Sequence, residues 1–69
     1  MKLVKCLKKH CLTDYVCLVL NEVTPHFYTV NYILQNKPDL LKCKVVTINA
    51  TITEVDERHV PVVVYYLGI

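Results

Sequence analysis

Val45-Val46-Thr47-Ile48-Asn49-Ala50-Thr51-Ile52-Thr53-Glu54-Val55, a charged break, then Val60-Pro61-Val62-Val63-Val64-Tyr65-Tyr66-Leu67 is the stretch that decides the fold. β-Branched and aromatic residues fill it, as a pleated, half-buried surface favours. In the first arm Val46, Ile48, Ala50 and Ile52 alternate with Thr47, Asn49, Thr51 and Thr53, a period of two that gives one buried and one polar face. The break Asp56-Glu57-Arg58-His59 contains no apolar residue. Together the arms predict a long β-hairpin.

A loop over Asp56–His59 pairs Val55 with Val60, then Ile52 with Val63, Ala50 with Tyr65 and Ile48 with Leu67. That register collects Ile48, Ala50, Ile52, Val63, Tyr65 and Leu67 on one inner face, and a slip of one residue would destroy the match. A tight turn at Glu57-Arg58 gives the same register without the Asn-Gly chemistry such turns favour. Val60, Val62, Val64 and Tyr66 form a second apolar row on the opposite side. A strand apolar on both faces is sandwiched, central or part of an interface. Pro61 cannot donate to a ladder, so its end lies at an edge or bulge.

Working outward, Gln35-Asn36-Lys37-Pro38-Asp39 is the clearest loop, with Pro38 able to open one helical turn through Lys42. Residues 27–34 read as a strand, since Tyr28, Val30, Tyr32 and Leu34 alternate with Thr29 and Asn31. A helix competes there, because Thr24-Pro25 is a good helix start and Phe27, Val30 and Ile33 recur at helical spacing. Asn21 to His26 forms the connection before it. Tyr15–Leu20 is a short continuous apolar run, the mark of a fully buried strand, and Cys11–Asp14 is a turn. Residues 2–9 read as an edge strand guarded by lysine. As a helix, Leu3, Val4, Leu7 and Cys11 would share one side and Lys2, Lys5, Lys8 and Lys9 the other.

The fold expected is therefore mainly β: one small domain over residues 1–69, an antiparallel, barrel-like sheet of about five strands. The alternative is α+β, with a helix at 2–11 or 25–36 packed on a β-sheet. Ala50–Asp56 followed by Val60–Gly68 resembles the central hairpin of SH3-like and Tudor-type barrels. The resemblance covers roughly a quarter of the chain and implies an SH3-like shape. It departs at Tyr65-Tyr66-Leu67-Gly68, which lacks the acidic residue that Tudor domains usually carry before that glycine.

Composition narrows function mainly by exclusion. The chain has no serine, so serine-nucleophile chemistry is excluded, and its single glycine, Gly68, leaves no Gly-rich phosphate loop. A chain of 69 residues that is 54% hydrophobic has little interior in which to hide its apolar side chains. A homo-oligomer or a partner-covered surface is expected. The apolar runs are too short for a membrane span. Lysines interrupt the N-terminal region where a signal peptide would need an apolar core, so an intracellular, cytoplasmic setting with free thiols is expected. The sequon Asn49-Ala50-Thr51 then reads as a strand segment. The net charge is only +2, but it is polarised: Lys2, Lys5, Lys8 and Lys9 lie at one end, and Glu54, Asp56 and Glu57 at the hairpin tip.

Three constellations could carry chemistry. Cys6, His10, Cys11 and Cys17, with Cys43, have the ligand softness for structural zinc, but no Cys-x2-Cys knuckle. Free thiols are the plainer reading, and a Cys6–Cys17 disulfide ranks lower. His10-Cys11 with Asp14 suggests a thiol nucleophile, yet neighbouring residues on a strand face opposite ways. Tyr28, Tyr32, Tyr65 and Tyr66 could stack bases with help from the N-terminal lysines. Against that, tyrosines commonly line a core with their hydroxyls at water. His26 and His59 read as exposed histidines, and the acidic tip lacks calcium-loop spacing.

The expected function is non-enzymatic and needs no cofactor: an accessory, adaptor or inhibitor protein that binds a protein partner and self-associates. Such roles suit a small protein of a virus or mobile element. The surface expected is an exposed strand edge or the face formed by Val60, Val62, Val64 and Tyr66. On this view lysine at 62 or 64 should disrupt association and leave the monomer folded. Two rivals remain. One is a single-stranded nucleic-acid module using Lys2, Lys5, Lys8, Lys9, Tyr28 and Tyr32; the other is a zinc-stapled domain.

Overall fold

A computed structural model describes residues 1–20 and 25–68. The elements in chain order are α1 (Leu3–Leu7), β1 (Tyr15–Leu20), β2 (His26–Thr29), α2 (Val30–Asn36), a 3-10 helix (Pro38–Lys42), β3 (Lys44–Val55) and β4 (Arg58–Gly68). The strands form a single four-stranded sheet in the order β2-β1-β4-β3. β1 runs antiparallel to β2 but parallel to β4, and β3 and β4 form the antiparallel hairpin.

The architecture is therefore α+β with an open, mixed sheet, and the expected all-β antiparallel barrel is overturned in favour of the α+β alternative. The decisive difference lies at the N-terminus. Leu3, Cys6 and Leu7 recur at i, i+3 and i+4 and are all buried, so burying that stripe favours a helix over a strand with lysine mixed into each face. The helix has no side-chain cap, and its five residues are too few to stand alone, so packing on the sheet holds it. Its approach is guided by the chain start. Lys2 bridges Lys44, the Val45 N–H donates to the Met1 carbonyl (2.7 Å) and the Leu3 N–H to that of Cys43 (3.0 Å). With the expected fifth strand spent on a helix, no strand among the described residues closes the sheet.

The two readings of residues 25–36 each hold for half the segment. His26–Thr29 pairs with β1, and Val30–Asn36 then turns helical. Thr29 supplies the N-cap, its Oγ1 accepting from the Tyr32 N–H at 3.1 Å, and Val30 and Ile33 go to the core at helical spacing. The proposed start at Thr24 lies outside the described residues. Tyr15–Leu20 is the central buried strand expected, and Pro38 opens the 3-10 turn.

The hairpin forms with its register moved by two residues from the one expected. Val55 pairs with Arg58, Thr51 with Val62, Ala50 with Val63 and Ile48 with Tyr65. A shift of two preserves the faces. It arises because the turn tightens to Asp56 and Glu57, both at positive φ (50° and 64°), the type I′ arrangement that matches strand twist. A bulge between Val45 and Thr47 then brings Val45 opposite Leu67. Close by, a Cβ at Gly68 would lie 2.9 Å from Val46 Cγ2, so the exposed Val46 side chain would have to shift to admit one.

The helices cover only one side of the sheet. Leu3, Leu7, Val16, Leu18, Ile33 and Tyr65 anchor the main core beneath them. Cys17, Val19, Val62 and Val64 form a smaller cluster on the other side, with Val60 against it.

Candidate functional site

β3 is the sheet's outer strand. Among the described residues its far side is paired only at the start, where Met1–Leu3 meet Cys43–Val45. In an antiparallel ladder both main-chain groups of a residue point to the same side, and the side alternates along the strand. Val55 and Arg58 close the turn and face each other, so Thr53, Thr51, Asn49 and Thr47 also face β4. Glu54, Ile52, Ala50 and Ile48 consequently direct their N–H and C=O groups away from the sheet. Val45, with its N–H on Met1, faces outward as well, as the bulge at Val46 requires.

The side chains along this edge are also uncovered. Ile48 and Ile52 share a face with the buried Tyr65, as expected, but the helix layer does not reach them, and they remain 53% and 69% exposed. Val46 is 65% exposed. Between Val46 and Val55 the strand has no proline and no lysine, and among the described residues no segment covers it, so the usual devices that blunt an edge are missing there. The sequence pattern placed Ile48 and Ile52 inside. The signal for the opposite outcome was the amphipathic stripe at Leu3, Cys6 and Leu7, which takes the N-terminus out of the sheet.

The residues expected to form a Val/Tyr surface are differently placed. Val62 is 2% and Val64 7% exposed, covered by their neighbours on the helix-free face, and Val60 is half-buried. Of the set only Tyr66 is open.

The cysteine and histidine set does not assemble. Cys6 lies in the helix-covered core and Cys17 in the cluster on the opposite face, so the sheet stands between them and neither a shared zinc nor a disulfide joins them. All four cysteines are free, with Cys11 exposed. Among the described residues no three His, Cys, Asp or Glu side chains gather as a metal site requires. Burial raises the Cys17 thiol above its ordinary pKa, which lowers the share of nucleophilic thiolate.

His10 instead serves Tyr65. Its Nε2 lies 2.7 Å from the Tyr65 hydroxyl, the rings meet edge to face, and Nδ1 is 3.6 Å from Asp14 Oδ2. Asp14 Oδ2 also accepts from the Cys11 N–H at 3.0 Å. Burial, with a smaller contribution from Cys6, raises the pKa of Tyr65. The Tyr65 side chain is only 4% exposed, and the Asp14–His10 pair supplies its hydroxyl with a polar partner, as an enclosed tyrosine requires. His10 and Asp14 line one end of an open cleft of about 480 Å³ beside Pro61 and Val62.

Tyr28 and Tyr32 do come together. Their rings stack at 5.1 Å and 7°, and His26 stacks on Tyr28 at 5.9 Å and 12°. This aromatic column lies on the β2 side of the molecule. Lys2 is fixed at the β3 edge on the other side of the sheet, and α1, carrying Lys5 and followed by Lys8 and Lys9, starts from there. Tyr65 is buried and Tyr66 sits on β4, so the tyrosines do not form one platform. His26 and His59 are exposed, as are Glu54, Asp56 and Glu57 at the tip.

The class this geometry defines is a small α+β domain with a one-sided helix layer and an unprotected outer strand. Compared with protein-family models, curated proteins and solved structures, the chain matches none. Among the described residues no helix is long and apolar enough to cross a membrane.

Proposed function

We propose that this chain is a non-catalytic interaction protein that works by adding a strand of a protein partner to the outer edge of β3. The observation that carries the reading is the run from Ile48 to Glu54, whose outward main-chain groups have no partner among the described residues while Ile48 and Ile52 are more than half exposed. Main-chain hydrogen bonds would supply affinity, and pockets on the partner for alternate side chains would supply selectivity. Accessory, adaptor and inhibitor roles all use such an edge. The setting proposed is reducing and cytoplasmic; four cysteines without a bridge support it.

The test uses an unrelated decapeptide of alternating valine and threonine, followed by amide hydrogen exchange. Strand addition should slow exchange at Ile48, Ala50, Ile52 and Glu54, and Ala50→Pro should abolish the effect. Peptide that binds without protecting those amides refutes edge addition.

A second reading, single-stranded nucleic-acid binding, rests on the His26–Tyr28–Tyr32 column. Each stacked base would contribute about 1–3 kcal/mol. Binding of oligothymidylate that falls steeply with salt and is lost in Tyr32→Ala would establish it. Lack of binding at low salt would remove it.

A further inference from the structure

We infer that the strand added to β3 is β3 of a second copy, paired antiparallel about a two-fold axis at Ala50. This rests on the edge reading above and names its partner. The strand is close to self-complementary. Reading outward from Ala50, Asn49 meets Thr51 of the second copy, Ile48 meets Ile52 and Thr47 meets Thr53. The hydrogen-bonding phase agrees with the residue match. Ile48, Ala50 and Ile52 are the residues with outward main-chain groups, and an antiparallel ladder requires outward groups to pair with outward groups. The registers that obey this rule on either side of the inferred one set Ile48 against Ala50 or against Glu54 and lose the isoleucine pairs.

The ends of the strand supply charge complementarity and a stop. Continuing the register places Val46 opposite Glu54 of the second copy and brings that copy's Asp56-Glu57 turn to Lys44. There Lys2 already occupies the edge. The bridged lysines thus end the ladder and receive the acidic tip, and the two-fold repeats the contact at the other end. The charge polarisation in the sequence becomes an interface in which each chain offers both halves. On the helix side, Ile48, Ala50 and Ile52 of both copies would close over one another. That covers the apolar side chains that the helix layer leaves at 53% and 69% exposure.

Sedimentation equilibrium of the full chain should show a dimer that weakens as salt rises. Ala50→Pro removes two hydrogen bonds at the axis and should raise the dissociation constant about thirtyfold. Ile52→Lys guards against a proline variant that misfolds and should give a folded monomer. Ala50→Cys should cross-link into a covalent dimer under mild oxidation. Ala50 faces itself at a Cα separation of about 5.5 Å, within disulfide reach, whereas Thr53→Cys should not cross-link. Lys2→Glu should weaken the dimer, and adding Asp56→Lys should restore it.

A monomer at high micromolar concentration overturns the inference. So does a dimer indifferent to Ala50→Pro and Ile52→Lys, or one cross-linked equally by Thr53→Cys. A monomer whose β3 amides are still protected by the Val/Thr peptide would leave the edge reading standing without self-pairing; failure of both would remove the two together.

Discussion

Replacing Glu57 with glycine should stabilise the protein, and the size of the effect follows from the turn. Asp56 and Glu57 adopt φ of 50° and 64°, where an L side chain crowds the following carbonyl. That conformation costs about 1–2 kcal/mol for an ordinary residue, with aspartate better tolerated than glutamate. Glycine removes the crowding but gives up about 0.5–1 kcal/mol through its freer unfolded chain. The net gain is about 0.5–1 kcal/mol, which for a chain of this length raises the melting temperature by about 3–6 °C. Asp56→Asn should add a smaller increment and complete the Asn-Gly pair that type I′ turns prefer. Thermal unfolding followed by circular dichroism measures both in the Ile52→Lys background, because association shifts the midpoint and the same turn supplies charge to the inferred dimer. A loop over Asp56–His59 with ordinary φ values would show only glycine's entropic cost. A lower midpoint for Glu57→Gly would therefore refute the tight turn and the hairpin register that depends on it.

Other substitutions test the core and its titrating groups. Ile33 of α2 is fully buried against the sheet, so Ile33→Ala should cost about 2–5 kcal/mol in denaturant unfolding, and a loss below 1 kcal/mol would mean that α2 is not seated as described. Val62→Lys should unfold the monomer, because Val62 is 2% exposed in the helix-free cluster and an unpaired buried ammonium is costly; a folded monomer that no longer associates would restore the Val/Tyr face as the interface. The pKa values of Tyr65 and Cys17 are raised in the fold by burial, so the folded protein holds these protons more tightly than the unfolded chain. Their stabilising contribution is complete below the unfolded values and is lost as pH climbs through the folded ones. The melting temperature should therefore fall above about pH 9–10, and Tyr65→Phe should flatten the upper part of that fall. An unchanged alkaline limb in Tyr65→Phe would show that the hydroxyl is not buried against His10.

Much of this protein is legible in its sequence because the signal is local. The alternation Val46-Thr47-Ile48-Asn49-Ala50-Thr51-Ile52 and the valine-rich arm after it determine a hairpin. Tyr15–Leu20 determines a buried strand, and the face shared by Ile48, Ala50, Ile52 and Tyr65 survives even a register shift of two residues. What the tertiary structure decided was which apolar positions receive a cover. Residues 2–9 and 27–34 carry helical and strand periods together, and the choice turned on whether Leu3, Cys6, Leu7, Val30 and Ile33 could bury more surface as helical stripes. Once they did, no strand among the described residues remained to close a barrel or to shield β3. Ile48 and Ile52, inward by pattern, were left at an open edge, while Val62 and Val64, read as surface, were enclosed by their neighbours. Periodicity states which side of a strand a residue occupies; whether another element lies over that side depends on contacts between segments far apart in the chain.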